Sequence, residues 1–340
     1  MRETLMLREA REAPAAVARL LAQEGAALAA LGRRLALTEP AVLVTCARGS
    51  SDHAAAYLKY LVEIATGVPV ASIGPSVASV YGARLRLRGA VLVSVSQSGR
   101  SPDIVAFQAA ARAAGALTVA IVNATDGALA QEAEIVIPLH AGAELSVAAT
   151  KSFLSSAAAA AALVAGWSGD AALGDAVRGL PAALDRALEC DWSAAAAMVA
   201  ASPSLYLLGR GPGTPVAQEA ALKAKEVAAI HAEAFSLAEV MHGPLRLIQR
   251  GFPVLGLVPQ DVAAAANRAA LARIAAAGGT VFTAAAAGPG TLLPIAATGH
   301  GLLDPLAIAL SYYRFIEGVS RMRGLDPDHP THLRKVTETL

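Results

Sequence analysis

Cysteine is nearly missing from this chain: Cys46 and Cys190 are its only two, and they lie far apart. A disulfide-stapled scaffold is excluded, and a reducing, cytoplasmic setting is the default expectation. Charge is scarce as well. Asp, Glu, Lys and Arg make up 16% of the residues, against roughly 25% in an average soluble domain. The 28 basic and 27 acidic side chains nearly cancel, and a net charge of +1 gives no general reason to bind nucleic acid or an anionic membrane. The seven histidines form no HExxH pattern and the cysteines no CxxC, so no structural zinc site is expected; nor is a metal or organic cofactor expected for catalysis. Long apolar runs are absent too. The stretch 155–166 is mostly alanine and falls short of the ~20 strongly apolar residues of a membrane span. The N-terminal MRETLMLREAREAPAAVARLL mixes acids with its arginines, which predicts neither a signal peptide nor an anchor.

What the chain does have is alanine, 83 of 340 residues, within an apolar fraction of 55%. Such a composition buries a large core and excludes disorder as the main state. The length suggests about two domains. Residues 7–31 read as a helical lead-in. Short apolar runs then recur at 41–46, 68–73, 90–95, 117–122 and 135–138. Helical patterns separate them, strongly at 103–114 and 151–166 and weakly at 76–83. Buried strands alternating with helices predict an α/β fold, a parallel sheet with helices on both faces. The pattern starts again with strands at 205–208, 253–258, 280–283 and 292–296 and helices at about 215–230 and 304–319. Gly49 and Gly209, each in the loop after a strand, stand 160 residues apart, which fits two copies of one unit. The expected organisation is a lead-in (1–30), a first domain (31–166), linker helices (167–196), a second domain (197–325) and a tail (326–340). Pro327 and Pro330 keep that tail extended.

Several motifs carry chemistry. Ser96-Gln97-Ser98-Gly99-Arg100-Ser101 follows a strand and precedes a helix. Ser101, ahead of Pro102 and Asp103, reads as that helix's cap. Hydroxyls, an amide and helix-end N–H groups converging there form a cradle for a phosphate, the bland reading being a polar turn. Gly49-Ser50-Ser51 makes a similar loop. Thr150 heads another helix as a cap or a ligand group, and Lys151 beside it reads as a solvated surface residue. Glu219, Lys223 and Glu226 share one face of an otherwise Ala- and Leu-rich helix. They are either a salt-bridged surface column or a glutamate held as general base by a lysine, with burial tuning it. His242, in Met241-His242-Gly243-Pro244, is either a turn residue or an imidazole presented to a cleft.

These motifs together resemble the sugar-isomerase (SIS) domain family, and within it the isomerase half of glucosamine-fructose-6-phosphate aminotransferase. The resemblance runs over about residues 25–340. It is carried by Ser96-Gln97-Ser98-Gly99, Ala143-Glu144…Val147-Ala148-Ala149-Thr150-Lys151-Ser152-Phe153 and Leu208-Gly209-Arg210-Gly211. It is strongest from Glu219 to Glu226 and on through His242-Gly243-Pro244-Leu245, and the tail Asp326-Pro327-Asp328-His329-Pro330…Lys335 also matches. The resemblance implies two tandem SIS domains, each three-layered and flavodoxin-like. Ser50, Ser51, Ser96, Gln97, Ser98 and Ser101 would hold a sugar phosphate, while Gly49 and the backbone of Val147 and Ala149 would meet the sugar. Glu226 would move a proton between C1 and C2, with Lys223 beside it. His242 would open the sugar ring from the other subunit of a homodimer, and Lys335 would form an imine with the ketose.

The chain departs from the family at Arg48, Arg100, Ala149 and Met241, around the sugar rather than the phosphate. Arg2 stands where the aminotransferase has its glutaminase nucleophile, and only about 30 residues precede the first SIS domain, so no release of ammonia from glutamine is expected of this chain. The leading expectation is therefore a glucosamine-6-phosphate deaminase, giving fructose 6-phosphate and ammonia. A second is another phosphosugar isomerase or a fructosamine-6-phosphate deglycase, in which Arg48 or Arg100 meets a substrate anion. A third is a non-catalytic sugar-phosphate sensor, since a fold alone does not establish catalysis.

Overall fold

The structure is a computed structural model and describes residues 3–335. Arg2 and the last five residues of the expected tail lie outside the described residues. The lead-in is two helices, α1 (Leu5–Arg11) and α2 (Ala13–Thr38). Pro14 is tolerated because it stands in the first turn of α2, where its missing N–H would have no intrahelical acceptor anyway. The alternation then runs β1 (Leu43–Cys46), α3 (Ser50–Thr66), β2 (Val70–Ser72), α4 (Ser76–Ser79), β3 (Val91–Ser96) and α5 (Pro102–Ala113). It continues with β4 (Leu117–Val122), α6 (Ala128–Glu132), β5 (Ile135–Pro138) and α7 (Lys151–Ser168). The linker region forms α8 (Ala171–Leu188), with Pro181 inside it, and α9 (Ser193–Ala201). The second alternation is β6 (Ser204–Gly209), α10 (Gly213–Ala228), β7 (His231–Ser236), β8 (Pro253–Leu257), α11 (Ala264–Ala276), β9 (Thr280–Ala284), β10 (Thr291–Leu293) and α12 (Asp304–Met322).

The strands form two five-stranded sheets, ordered β2-β1-β3-β4-β5 and β10-β9-β8-β6-β7. Every pairing is parallel. Counted from β6, the second order is the first read backwards, so one topology occurs twice, as the sequence offset predicts. The chain divides into two compact units. The unit of the first sheet holds Ala15–Glu144, Lys151–Arg178 and, of the tail, Arg334 and Lys335. The unit of the second sheet holds the N-terminal residues to Pro14, Leu145–Thr150 and Gly179–Leu333.

Each sheet is buried on both faces, which is why its strands read as runs rather than alternations. All six residues of β3 are buried. On one face of the first sheet Val44, Leu92, Ala120 and Val122 pack against Ile104, Phe107 and Ala111 of α5. In the second unit Tyr206, Leu208, Val254 and Val281 pack with Leu271 and Ile274 of α11. Besides the short α6, two elements escape the sequence reading. β7 is an edge strand, HAEAFS, with His and Glu in place of β-branched residues, and it pairs only with β6. α11 is so rich in alanine that no apolar periodicity marks it.

Candidate active site

In the first unit the strand order reverses between β1 and β3, and the loops leaving those strands flank the crevice where parallel α/β sheets bind ligands. One loop leads through Gly49 into α3. Gly49 has φ 55° and ψ −136°, a conformation that side chains other than hydrogen avoid, and it turns the chain so that Ser50 and Ser51 open the helix. The other loop runs from Ser96 to Ser101. Buried Ser96 accepts a hydrogen bond from the Gly99 N–H (3.0 Å), and the Ser98 hydroxyl accepts from the Arg100 N–H (3.3 Å). The Gln97 carbonyl accepts from the Ala124 N–H (3.1 Å). Gly99 has φ 63°, and a Cβ there would stand 3.2 Å from the Ala124 carbonyl oxygen. Ser101 occupies the cap position of α5, but its side chain makes no cap hydrogen bond, contrary to the sequence reading. Its hydroxyl is thus not used up on the helix. Two helix N-termini, each leaving leading N–H groups without intrahelical acceptors, and a set of hydroxyls meet at one switch point. That arrangement suits a small anion such as a phosphate.

The two departing arginines are held by acids of their own unit. Arg48 Nε donates to the buried Asp103 at 2.5 Å, tying the α3 loop to the first turn of α5. Arg100 pairs with Asp126 at 2.9 Å, both side chains largely exposed. Two lysines also fall in this unit. Lys151 is buried, not solvated as the sequence suggests. Lys335 donates from Nζ to Glu144 Oε2 at 2.9 Å. Glu144 is buried at the N-terminus of α7 and accepts from the Ser152 N–H (3.1 Å) and hydroxyl (2.6 Å). A charged tail lysine thus sits on a buried carboxylate, a role for Glu144 that no local pattern announces.

In the second unit the column on α10 is not a surface feature. Lys223 and Glu219 are both fully buried. Lys223 Nζ lies 2.5 Å from Glu226 Oε2 and 3.3 Å from Glu219 Oε1, and the Tyr313 hydroxyl donates to Glu219 at 3.1 Å. Burial pushes the Lys223 ammonium toward neutrality, but the carboxylates of Glu219 and Glu226 outweigh it and hold its pKa above the ordinary lysine value. Glu226 alone of the three side chains keeps some exposure, 19%, and lines a cavity of about 520 Å³. The opposite wall of that cavity is the segment from Leu325 to Leu333, including His329 and His332. A carboxylate backed by a buried ammonium and open to a cavity can take up and return a proton.

His242 follows a short 3₁₀ turn after β7 and is exposed; it is not among the residues lining the Glu226 cavity. Val147 and Ala149 lie in the loop Leu145–Thr150, half-buried. Glu9 on α1, itself buried, accepts hydrogen bonds from the N–H groups of Leu145 (2.5 Å) and Ser146 (3.1 Å). Glu9 carries no sequence signal beyond a place in a helical lead-in. Among the described residues no three His, Cys, Asp or Glu side chains gather as a metal would require, and no helix is long and apolar enough to cross a membrane.

The SIS domain model matches residues 37–166 and 198–286. This chain belongs to the SIS domain family. The glutamine–fructose-6-phosphate aminotransferase [isomerizing] of Halobacterium salinarum is 37% identical over 238 residues, covering 65% of this chain and 38% of that protein. The chain thus spans well under half the length of the curated relatives it matches. A candidate phosphosugar isomerase from Silicibacter pomeroyi DSS-3 superposes with a TM-score of 0.92 at 46% identity, over 96% of this chain and all of that one. The C-terminal domain of glucosamine-fructose-6-phosphate aminotransferase from Francisella tularensis gives a TM-score of 0.86 at 25% identity, over 97% of this chain and 99% of that one. Both SIS stretches fall on the two sheet units, so the switch-point loops and the α10 column are SIS elements of this chain.

Proposed function

We propose that this SIS protein is an enzyme that isomerises a phosphosugar, and that its substrate is glucosamine 6-phosphate, which it deaminates to fructose 6-phosphate and ammonia. The observation that carries the reading is Glu226, open to a cavity and hydrogen-bonded at 2.5 Å to a fully buried lysine. The serine loops at the switch point of the first sheet bind the phosphate. His242, exposed and clear of the Glu226 cavity in its own chain, is contributed to the site of a second copy and opens the pyranose. Glu226 then takes the C2 proton and delivers it to C1, giving the C2 imine. Throughout, the Lys223 ammonium stays paired. When Glu226 carries the proton, Glu219 remains as the buried counter-ion, so no isolated charge appears in the interior. Water adds to the imine carbon, and ammonia leaves as the C2 carbonyl forms.

Both thiols speak against an ammonia supply from glutamine within the described residues. Burial raises the Cys46 thiol to about 12 and pushes the Cys190 thiol up as well, and a protonated thiol is a poor nucleophile. The ammonia-releasing direction needs no such nucleophile. A deglycase reading would use Arg48 or Arg100 for a substrate carboxylate, but each already has an acidic partner. The test is an assay for ammonia and fructose 6-phosphate over a panel of amino-sugar, ketosamine and neutral sugar phosphates. Turnover of glucosamine 6-phosphate with both products is expected. Turnover of another phosphosugar in its place refutes the substrate, and phosphosugar binding without any turnover makes the protein a sensor.

A further inference from the structure

α1 is too short to be stable by itself, yet both of its ends are fastened to irregular segments near the proposed chemistry. Helix N-termini need acceptors for their leading N–H groups. Thr4 provides one, its hydroxyl accepting from the Leu7 N–H at 3.2 Å. The others come from far along the chain: Asp328 accepts from the N–H groups of Leu5 (2.6 Å) and Met6 (2.9 Å) through its two carboxylate oxygens. Asp328 belongs to the segment Leu325–Leu333 that walls the Glu226 cavity. At the other end of the helix Glu9 accepts from the N–H groups of Leu145 and Ser146. Those amides lead directly into Val147 and Ala149, the backbone assigned to the sugar. Simple docking of α1 on α12 requires only the apolar side chains Met6 and Ala10, both fully buried. The two carboxylates add something else. Hydrogen bonds from backbone N–H groups to ionised oxygens are among the stronger ones and fix direction as well as distance.

We infer that α1 is a positioning strut of the active site: Glu9 sets the sugar-contacting loop 145–149, Asp328 ties the cavity wall to the same helix, and the two segments are thereby held in one frame. Neither residue touches substrate in this scheme. The inference rests on the proposed phosphosugar reaction for its catalytic consequence, but not for its structural one.

The experiment uses the full chain and three variants, Glu9→Gln, Glu9→Asp and Asp328→Asn. Hydrogen–deuterium exchange is followed in peptides covering 145–150 and 325–333, kinetics with glucosamine 6-phosphate, and inorganic phosphate is titrated as a probe of the serine loops. In Glu9→Gln faster exchange is expected at 145–150, together with a loss of about 10- to 100-fold in kcat/KM, the scale of a misplaced substrate. Phosphate affinity stays within about twofold, because the serine loops lie in the other unit, and Glu9→Asp recovers part of the loss. Asp328→Asn loosens 325–333 and also raises exchange at 145–150. If Glu9→Gln gives no folded protein, Asp328→Asn is read in its place. Unchanged exchange at 145–150 in every variant overturns the strut, whatever the activity. So does wild-type kcat/KM in a variant whose loop has loosened. A wild-type protein that turns over no phosphosugar refutes the proposed function instead, and the exchange result still decides the structural part.

Discussion

Replacing Lys223 with methionine keeps the volume of the side chain and removes its charge. The consequences follow from what surrounds it. Glu219 is fully buried, and its partners in the column are the ammonium and the Tyr313 hydroxyl. Without the ammonium, a carboxylate in the interior loses its counter-ion. Breaking a buried pair in this way costs about 3–5 kcal/mol, because the remaining charge is left uncompensated. For a unit of this size that is a fall of roughly 6–20 °C in the melting temperature of the transition to which it belongs. The pH dependence has a definite sign. In the wild type the Lys223 pKa is raised above the unfolded value, so its stabilisation is complete below the unfolded lysine pKa and is lost only as pH rises through the folded one. Between pH 5 and 8 the wild-type contribution is therefore flat. In Lys223→Met the buried Glu219 carboxylate favours protonation, so the penalty shrinks as pH falls from about 8 to 5.

The double variant Lys223→Met/Glu219→Gln provides the internal control. It removes the stranded charge and keeps a group that can accept from Tyr313, and it is expected to recover more than half of the lost stability. Urea unfolding at several pH values measures all three proteins. A penalty under about 1 kcal/mol, or a double variant no more stable than the single one, would mean that the column is solvated in a way the buried geometry contradicts, and the argument for an always-paired ammonium would fail.

Glu226→Gln is expected to fold normally and to lose 10²- to 10⁴-fold in kcat, the usual worth of a general acid–base, with loss of C2-to-C1 transfer of a deuterium label as the direct readout. Gly99→Ala should raise the KM for phosphosugar and the dissociation constant of inorganic phosphate together, because its Cβ would press on the Ala124 carbonyl in a backbone that already has positive φ. Mixing inactive Glu226→Gln with inactive His242→Asn under conditions of subunit exchange should restore activity to up to a quarter of the wild-type level. No recovery despite mass-spectrometric proof of mixed dimers would show that the histidine acts within its own chain or not at all.

The strands that the sequence reveals are those buried on both faces. LVTC, VLVSVS and LTVAIV are apolar or β-branched but for the small Ser94 and Ser96 because neither side meets water. β7 hides because an edge strand needs fewer apolar side chains, and α11 because alanine gives no contrast between its faces. The same logic separates the site residues. Ser96 to Ser101 stand where a strand turns into a helix, so their place in the fold can be read locally. The spacing of Glu219, Lys223 and Glu226 puts them on one face, but spacing cannot tell a buried face from a wet one; burial decides that, and it comes from packing by residues as distant as Tyr313. Glu9, Glu144 and Asp328 are further from reach. Each grips backbone N–H groups or a side chain remote in sequence, and a lone acid in a helix, loop or tail carries no mark of its partner.

The two sheet units share a topology but not a chemistry, and the difference lies in which end of a helix is used. In the first unit the helix after the first strand, α3, presents Ser50 and Ser51 at its N-terminus, where helix-end N–H groups favour an anion. Its counterpart in the second unit is α10, which likewise follows the first strand of its sheet and precedes the edge strand. There the residues proposed for proton transfer are Lys223 and Glu226, in the C-terminal half of the helix. What keeps the buried lysine charged there is the pair of carboxylates, Glu219 and Glu226, on either side of it. One repeated βα unit thus gives two helices, one suited to a negative group at its N-terminus and the other keeping an ammonium charged between two carboxylates. On the proposed mechanism, an SIS pair with two anion ends would bind sugar phosphates but would lack the buried cation beside which Glu226 is to gain and lose a proton without leaving a charge unpaired in the interior.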